Sequence, residues 1–192
     1  MVTKTRLTLD EFLKLPETEP PSEFIDGEIV QKMSPNWYHS RLVAELIAQL
    51  TLYLRTTAEG FVNAELRHIS ESEARSFLPD VEVTLKRNMP QSHAERGGAM
   101  RTAPDFAIEV LSPGDYSGRV LDRADFYMRI GTELLWIVDP ELEAVTVYRP
   151  GQPPSVHRAP AALDGSPVLA SFNLDLAELF AVLHEDEDES EA

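Results

Sequence analysis

The sequence predicts an α/β fold, a mixed β-sheet flanked by helices, and three observations carry that expectation. Leu42, Leu46, Ile47, Leu50 and Leu54 recur at helical spacing. Two runs, Asp105 to Leu111 and Leu134 to Val138, are apolar on both faces, as central strands are. Between them, residues from about Asp115 to Ile130 read as a second helix that Gly131 ends. Strands that alternate with two sizeable helices build a layered α/β domain.

The remaining elements follow in order. Thr8 and Glu11 have capping-box spacing, so Leu9, Phe12 and Leu13 form a short helix that Pro16 ends. Phe24 to Met33 reads as two short strands around Asp26-Gly27, a dipeptide suited to a tight hairpin. The long helix starts near Ser34 or Asn36 and stops before Gly60. A strand is expected over Phe61 to Ile69. From Pro79 to Leu85 the pattern has period two, with Asp80, Glu82 and Thr84 on one face and Val81, Val83 and Leu85 on the other. Lys86 to Arg101 reads as a glycine-containing loop with four basic residues against Glu95. A solvated loop is the simpler reading, and a phosphate-binding patch the alternative. A strand over Ala144 to Tyr148, a proline-rich stretch and a helix from about Asp175 to Leu183 complete the chain. One domain is expected over residues 1–183, followed by an acidic, disordered tail over 184–192.

A length of 192 residues and 43% hydrophobic content suit one ordinary core. With no cysteine, thiolate ligands, thiol nucleophiles and disulfides are excluded. No apolar run reaches the length of a signal peptide or a membrane span, so a cytoplasmic protein without membrane association is expected. The formal charge is −16. Six acids of the tail contribute to it; setting them aside lowers the 33 acidic residues to 27, still above the 17 basic ones. A polyanion would therefore have to bind through a local patch or a metal ion.

Glu109 is the most informative residue. Its strand is otherwise Phe106, Ala107, Ile108, Val110 and Leu111, and an ionised carboxylate buried alone there is costly. It needs a cation, a proton, or a place where the sheet opens. Asp80 begins another strand on that strand's polar face. Two carboxylates on neighbouring strands can hold one hard divalent ion, and Mg²⁺ accepts so few protein ligands because it keeps several waters. The alternative is structural: Glu109 pairs with an arginine and Asp80 caps a strand.

Five segments together resemble a known family. They are Glu23 to Val30; Met33-Ser34-Pro35 with His39; Pro79-Asp80-Val81; Ile108 to Pro113; and Tyr127 through Gly131 to Pro140. In this order they are similar to a large bacterial family of restriction-endonuclease-like proteins, the Uma-type endonucleases of the PD-(D/E)xK superfamily. The resemblance spans about residues 8 to 150. It implies a restriction endonuclease-like core of αβββαβ type. It also implies a metal-dependent endonuclease acting on nucleic acid, expected to be DNA, with Mg²⁺ (or Mn²⁺) held by Asp80, Glu109 and the carbonyl of Val110. Glu23 matches a family glutamate near the hairpin that completes the site. The superfamily lysine would stand two residues after Glu109, but Leu111 is there. The family's own lysine position, four residues before Tyr127, is Arg123, which keeps a positive charge and cannot accept a proton from water. Arg119 lies one turn earlier on the same helical face. The expected catalytic set is therefore Asp80, Glu109, Arg123 and Glu23. Its competitor is a catalytically silent binding or scaffold protein. A homodimer is expected in either case. His39 reads as a structural histidine at a helix start, and Trp136 as a core residue.

Overall fold

The computed structural model describes residues 7–115 and 117–184. The acidic tail from Glu185 onward lies outside them.

The long helix α2 (Trp37–Thr57) begins where Asn36 Oδ1 accepts the backbone N–H of His39 at 2.9 Å. Of the two expected starts, Asn36 is therefore the cap. Its other end falls before Gly60, as expected, but Gly60 is not the cap. The helix closes at Ala58, in the left-handed region (φ 55°), and Gly60 instead opens strand β3 (Gly60–Ala64). Gly60 is required there by a neighbour, since a Cβ would stand 2.6 Å from the Thr84 carbonyl oxygen of the adjoining strand.

Six strands form the central sheet. In spatial order they are β10 (Ser155–Arg158), β9 (Ala144–Tyr148), β8 (Leu134–Asp139), β7 (Phe106–Val110), β6 (Val81–Leu85) and β3. Only β7 and β8 run parallel, and α4 (Ser117–Ile130) supplies the crossover that a parallel pair needs. Along the chain, α2, β3, β6, β7, α4 and β8 give the expected αβββαβ order. Gly131, with φ 98°, ends α4 as expected.

A smaller sheet has the order β2 (Glu28–Gln31), β1 (Ser22–Ile25), β5 (Arg75–Phe77), β4 (His68–Ser70). The strand expected over Phe61 to Ile69 is thus two strands in two sheets, broken at Glu65, whose φ is 48°. Strand β5 is too short to show a period in sequence. Helix α1 (Leu9–Phe12) has its capping box and stacks Phe12 on Phe24 of β1, ring centroids 5.3 Å apart. The expected 86–101 loop holds a 3₁₀ turn (Lys86–Asn88) and one short helix, α3 (His93–Arg96), capped by Ser92 and Glu95. The proline-rich stretch carries β10 and a hairpin of β11 (Ala162–Gly165) with β12 (Leu169–Asp175) before α5 (Leu176–Ala181). Its prolines fall between the strands, where no ladder hydrogen bond is lost.

The two faces of the central sheet differ. One packs Val81, Val83, Phe106, Ile108, Trp136 and Val138 against α2, β12 and α5. Trp136 is fully buried there, between Phe106 and Phe172. The opposite face carries Ala107, Leu135 and Ile137 under Phe126 and Tyr127 of α4, and on it sit Glu82 and Glu109.

Candidate active site

Strands β6 and β7 are antiparallel, with Val81 opposite Ile108. One residue further in that register brings Asp80 opposite Glu109, so two carboxylates 29 positions apart in the chain meet at one end of the sheet. Both are buried and both line a cavity of about 470 Å³. Asp80 is held by three donors: the backbone N–H of Val110 to Oδ2 (2.9 Å), His39 Nε2 to Oδ2 (3.2 Å) and Lys32 Nζ to Oδ1 (2.7 Å). Burial alone would raise its pKa, but His39 and Lys32 outweigh burial and hold the carboxyl well below the usual carboxylate range.

Glu109 is treated differently by its surroundings. Tyr127 donates its hydroxyl to Oε1 at 2.5 Å, and Arg123 Nη1 donates to Oε2 at 3.2 Å. Burial pushes Glu109 up to about 7, since the pull of Arg123 is opposed by the nearby charge of Asp80. Arg123 is itself driven further into its charged form by Glu109. Tyr127, buried beside that carboxylate, is raised well above its ordinary value. Glu23 also reaches the cavity wall. Its Oε1 accepts the Leu78 N–H at 2.8 Å, and burial raises its pKa.

All the expected site residues therefore converge: Asp80, Glu109, Val110, Arg123 and Glu23 line this one cavity, as do His39 and Arg119. His39 turns from the first turn of α2 toward Asp80. The basic loop does not join them. It leaves the far end of β6, where Arg87 pairs with Asp105 and Glu133 and Arg101 pairs with Glu71. Arg96 donates to the Pro90 carbonyl, and none of the loop's residues lines the cavity.

Sequence reasoning missed Lys32. It follows β2, and its ammonium donates to the Leu78 carbonyl (3.0 Å) as well as to Asp80, with Glu65 Oε1 3.4 Å away. Burial would lower its pKa, but Asp80 and Glu109 raise it, so it stays charged. The contact spans 48 positions, and no periodicity could announce it. The one available signal is its place at the end of the hairpin that also carries Glu23.

The donors suit a hard divalent ion. Asp80 Oδ1 and both oxygens of Glu109 each take one side-chain donor and keep a further lone pair, whereas Asp80 Oδ2 already accepts two. Mg²⁺ needs only one or two carboxylates beside its waters. Among the described residues no group of three or more histidine, cysteine or acidic side chains converges as a ready-made metal cage. Soft or all-protein coordination is thus not what this pair of strands provides. Lys32 and Arg123 balance the two carboxylates.

A central mixed sheet with helices on both sides and a carboxylate pair at one end of it defines a restriction endonuclease-like fold. The chain belongs to the Uma2 family, described as "Putative restriction endonuclease", whose model matches residues 9–177. Among solved structures, a "putative nuclease belonging to DUF820" from Anabaena variabilis ATCC 29413 is similar, with a TM-score of 0.82 and 33% identity. The match covers 92% of this chain and 99% of that one. Among curated proteins none matches. No helix among the described residues is long and apolar enough to cross a membrane.

Proposed function

We propose that this protein is a divalent-metal-dependent endonuclease that hydrolyses phosphodiester bonds of nucleic acid, DNA in the first instance. The observation that carries the reading is the meeting of Asp80 and Glu109 on the wall of one cavity, within the residues that the family model matches. Fold alone would not suffice, because one fold hosts many chemistries. Asp80, Glu109 and the carbonyl of Val110 would hold Mg²⁺ or Mn²⁺. Such an ion, when bound, would supply a Lewis acid for the phosphate and a lowered pKa for the attacking water.

The side chains do the rest. The Val110 N–H and His39 fix the orientation of Asp80. Tyr127 fixes Glu109 in the same way. Arg123, anchored on Glu109, presents its remaining N–H groups to a phosphate that gains charge in the transition state. Glu23 adds a third carboxylate on the wall, oriented by the Leu78 N–H, and would add negative charge for a cation there. An ion at this end also answers the charge problem. Asp26, Asp115, Asp122 and Asp125 lie on the cavity wall together with Arg75, Arg119 and Arg129, so the cleft has no large basic surplus to draw in a polyanion.

The test is plasmid nicking. Purified protein with Mn²⁺ is expected to convert supercoiled DNA to open circles, and Asp80→Ala to abolish the conversion. Equal cutting by Asp80→Ala would assign the activity to another site or another protein.

A second reading is favoured by one observation: Arg123 stands at the family's lysine position and is paired with Glu109. In that reading the protein is a catalytically silent binding or scaffold protein. Calorimetric titration with Mn²⁺ separates the two, since a silent scaffold gives no heat that depends on Asp80.

A further inference from the structure

Lys32 is the cation that touches Asp80, and the sequence did not foreshadow its place. Its backbone N–H donates to the Pro21 carbonyl at 2.9 Å, extending the hairpin of β1 and β2 and fixing the start of the side chain. The side chain is only 17% exposed, and its ammonium has three N–H groups and three acceptors. Two are firm, Leu78 O at 3.0 Å and Asp80 Oδ1 at 2.7 Å, and the third, Glu65 Oε1 at 3.4 Å, is looser. The oxygen it takes from Asp80 is the one that Val110 and His39 leave free, since both of those donate to Oδ2.

An ion approaching Asp80 therefore meets an ammonium already on the available oxygen. The two cations repel and cannot share it at close range. Lys32 need not leave the site when it yields. Its contacts with Leu78 and Glu65 do not involve Asp80, and the freed N–H remains on the wall of the cavity.

We propose that Lys32 is the stand-in cation of Asp80. It neutralises that carboxylate until a divalent ion takes Oδ1, and it then donates the freed N–H to a phosphate oxygen. This rests on the metal-dependent reading above. It assigns to a residue of the β1–β2 hairpin the mobile positive charge that Arg123, tied to Glu109, does not provide. No covalent bond is made or broken by Lys32, which acts only through charge and hydrogen bonding.

The experiment is calorimetric titration of Mn²⁺ alone into wild type, Lys32→Met, Lys32→Arg and Asp80→Ala, alongside nicking rates against Mn²⁺ concentration. Lys32→Met is expected to bind Mn²⁺ about tenfold tighter, the scale of one charge-assisted hydrogen bond that no longer has to break. Its maximal nicking rate is expected to fall about tenfold or more, although half-saturation needs less metal. Lys32→Arg keeps the charge and is expected to stay near wild type in metal affinity. General loosening of the hairpin would weaken both properties together; if Lys32→Met fails to fold, Lys32→Gln replaces it.

Unchanged or weaker Mn²⁺ binding in the neutral variant, with Asp80-dependent binding in wild type, would overturn the role of Lys32 and leave the metal site standing. Absence of Asp80-dependent heat in every variant would overturn both. Tight binding only when Lys32 is neutralised would support Lys32 as the competing cation while removing metal dependence from the native site.

Discussion

The two faces of the central sheet are made by alternate residues of the same strands, yet they solve opposite problems. On one face Val81, Ile108, Trp136 and Val138 meet only apolar partners from α2, β12 and α5. On the other, Glu82 and Glu109 are buried beside Ala107, Leu135 and Ile137. The first face gains stability from area removed from water. The second gives up part of that gain to keep charge in a dry place, where a carboxylate interacts strongly with whatever cation approaches. The acids at that end are not equivalent either. Asp80, with three donors, is held ionised, whereas Glu82 and Glu109 are pushed up to about 7 by burial.

The largest effect expected from this contrast is on the apolar face. Trp136→Ala removes a fully buried indole and is expected to cost about 3–5 kcal/mol of unfolding free energy in urea, with nicking by the remaining folded fraction unchanged. Loss of nicking from the folded fraction as well would mean that the two faces are coupled more tightly than their separate packing implies.

Glu109→Gln is expected to show the reverse signature. Nicking falls by about a hundredfold or more as one of the proposed ion's two carboxylates is lost, while stability shifts by less than about 1 kcal/mol. The amide oxygen still accepts from Tyr127, so the fold keeps that bond.

Glu82 sharpens the comparison through pH. Burial pushes its folded pKa up to about 7, above the ordinary 4.5 of a solvated glutamate, so the folded state favours the protonated acid. That contribution is full below about pH 4.5, falls as pH rises through about 7, and is gone above it. Glu82→Gln has nothing to lose over that window. It is expected to match wild type near pH 4.5 and to exceed it by about 2 kcal/mol at pH 8, measured by urea unfolding at both values. Asp80 has the opposite sign: its stabilising contribution is present above the ordinary aspartate range and disappears on acidification through its depressed folded value. The smallest effect lies outside both faces. Asn36→Ala removes the cap of α2 and is expected to cost about 1 kcal/mol.

The contrast also marks what the sequence could reveal. Glu109 was legible because it breaks an apolar strand pattern and a buried charge needs a reason, and Asp80 because it opens the polar face of a second strand. The family motifs then placed Arg123, Glu23 and Val110 beside them, and the cavity brings all five together. Helix α2 was legible from its leucine period, but its C-terminal capping residue was not. Ala58 carries the left-handed turn, and Gly60 answers to a carbonyl on another strand rather than to the helix. The burial of Glu82 was hidden, because alternation gives the face and not what covers it. Lys32 was hidden for a related reason, since its partner is fixed by how one sheet lies against another. Strands β10 to β12 were masked by prolines that punctuate them rather than exclude them.

The central claim is that Asp80 and Glu109 share one ion, and crystals soaked in Mn²⁺ test it most directly through anomalous scattering. The account predicts a single strong peak bonded to both carboxylates, with the Lys32 ammonium withdrawn from Asp80 Oδ1. A map with no peak there and Lys32 still on Asp80 would contradict it.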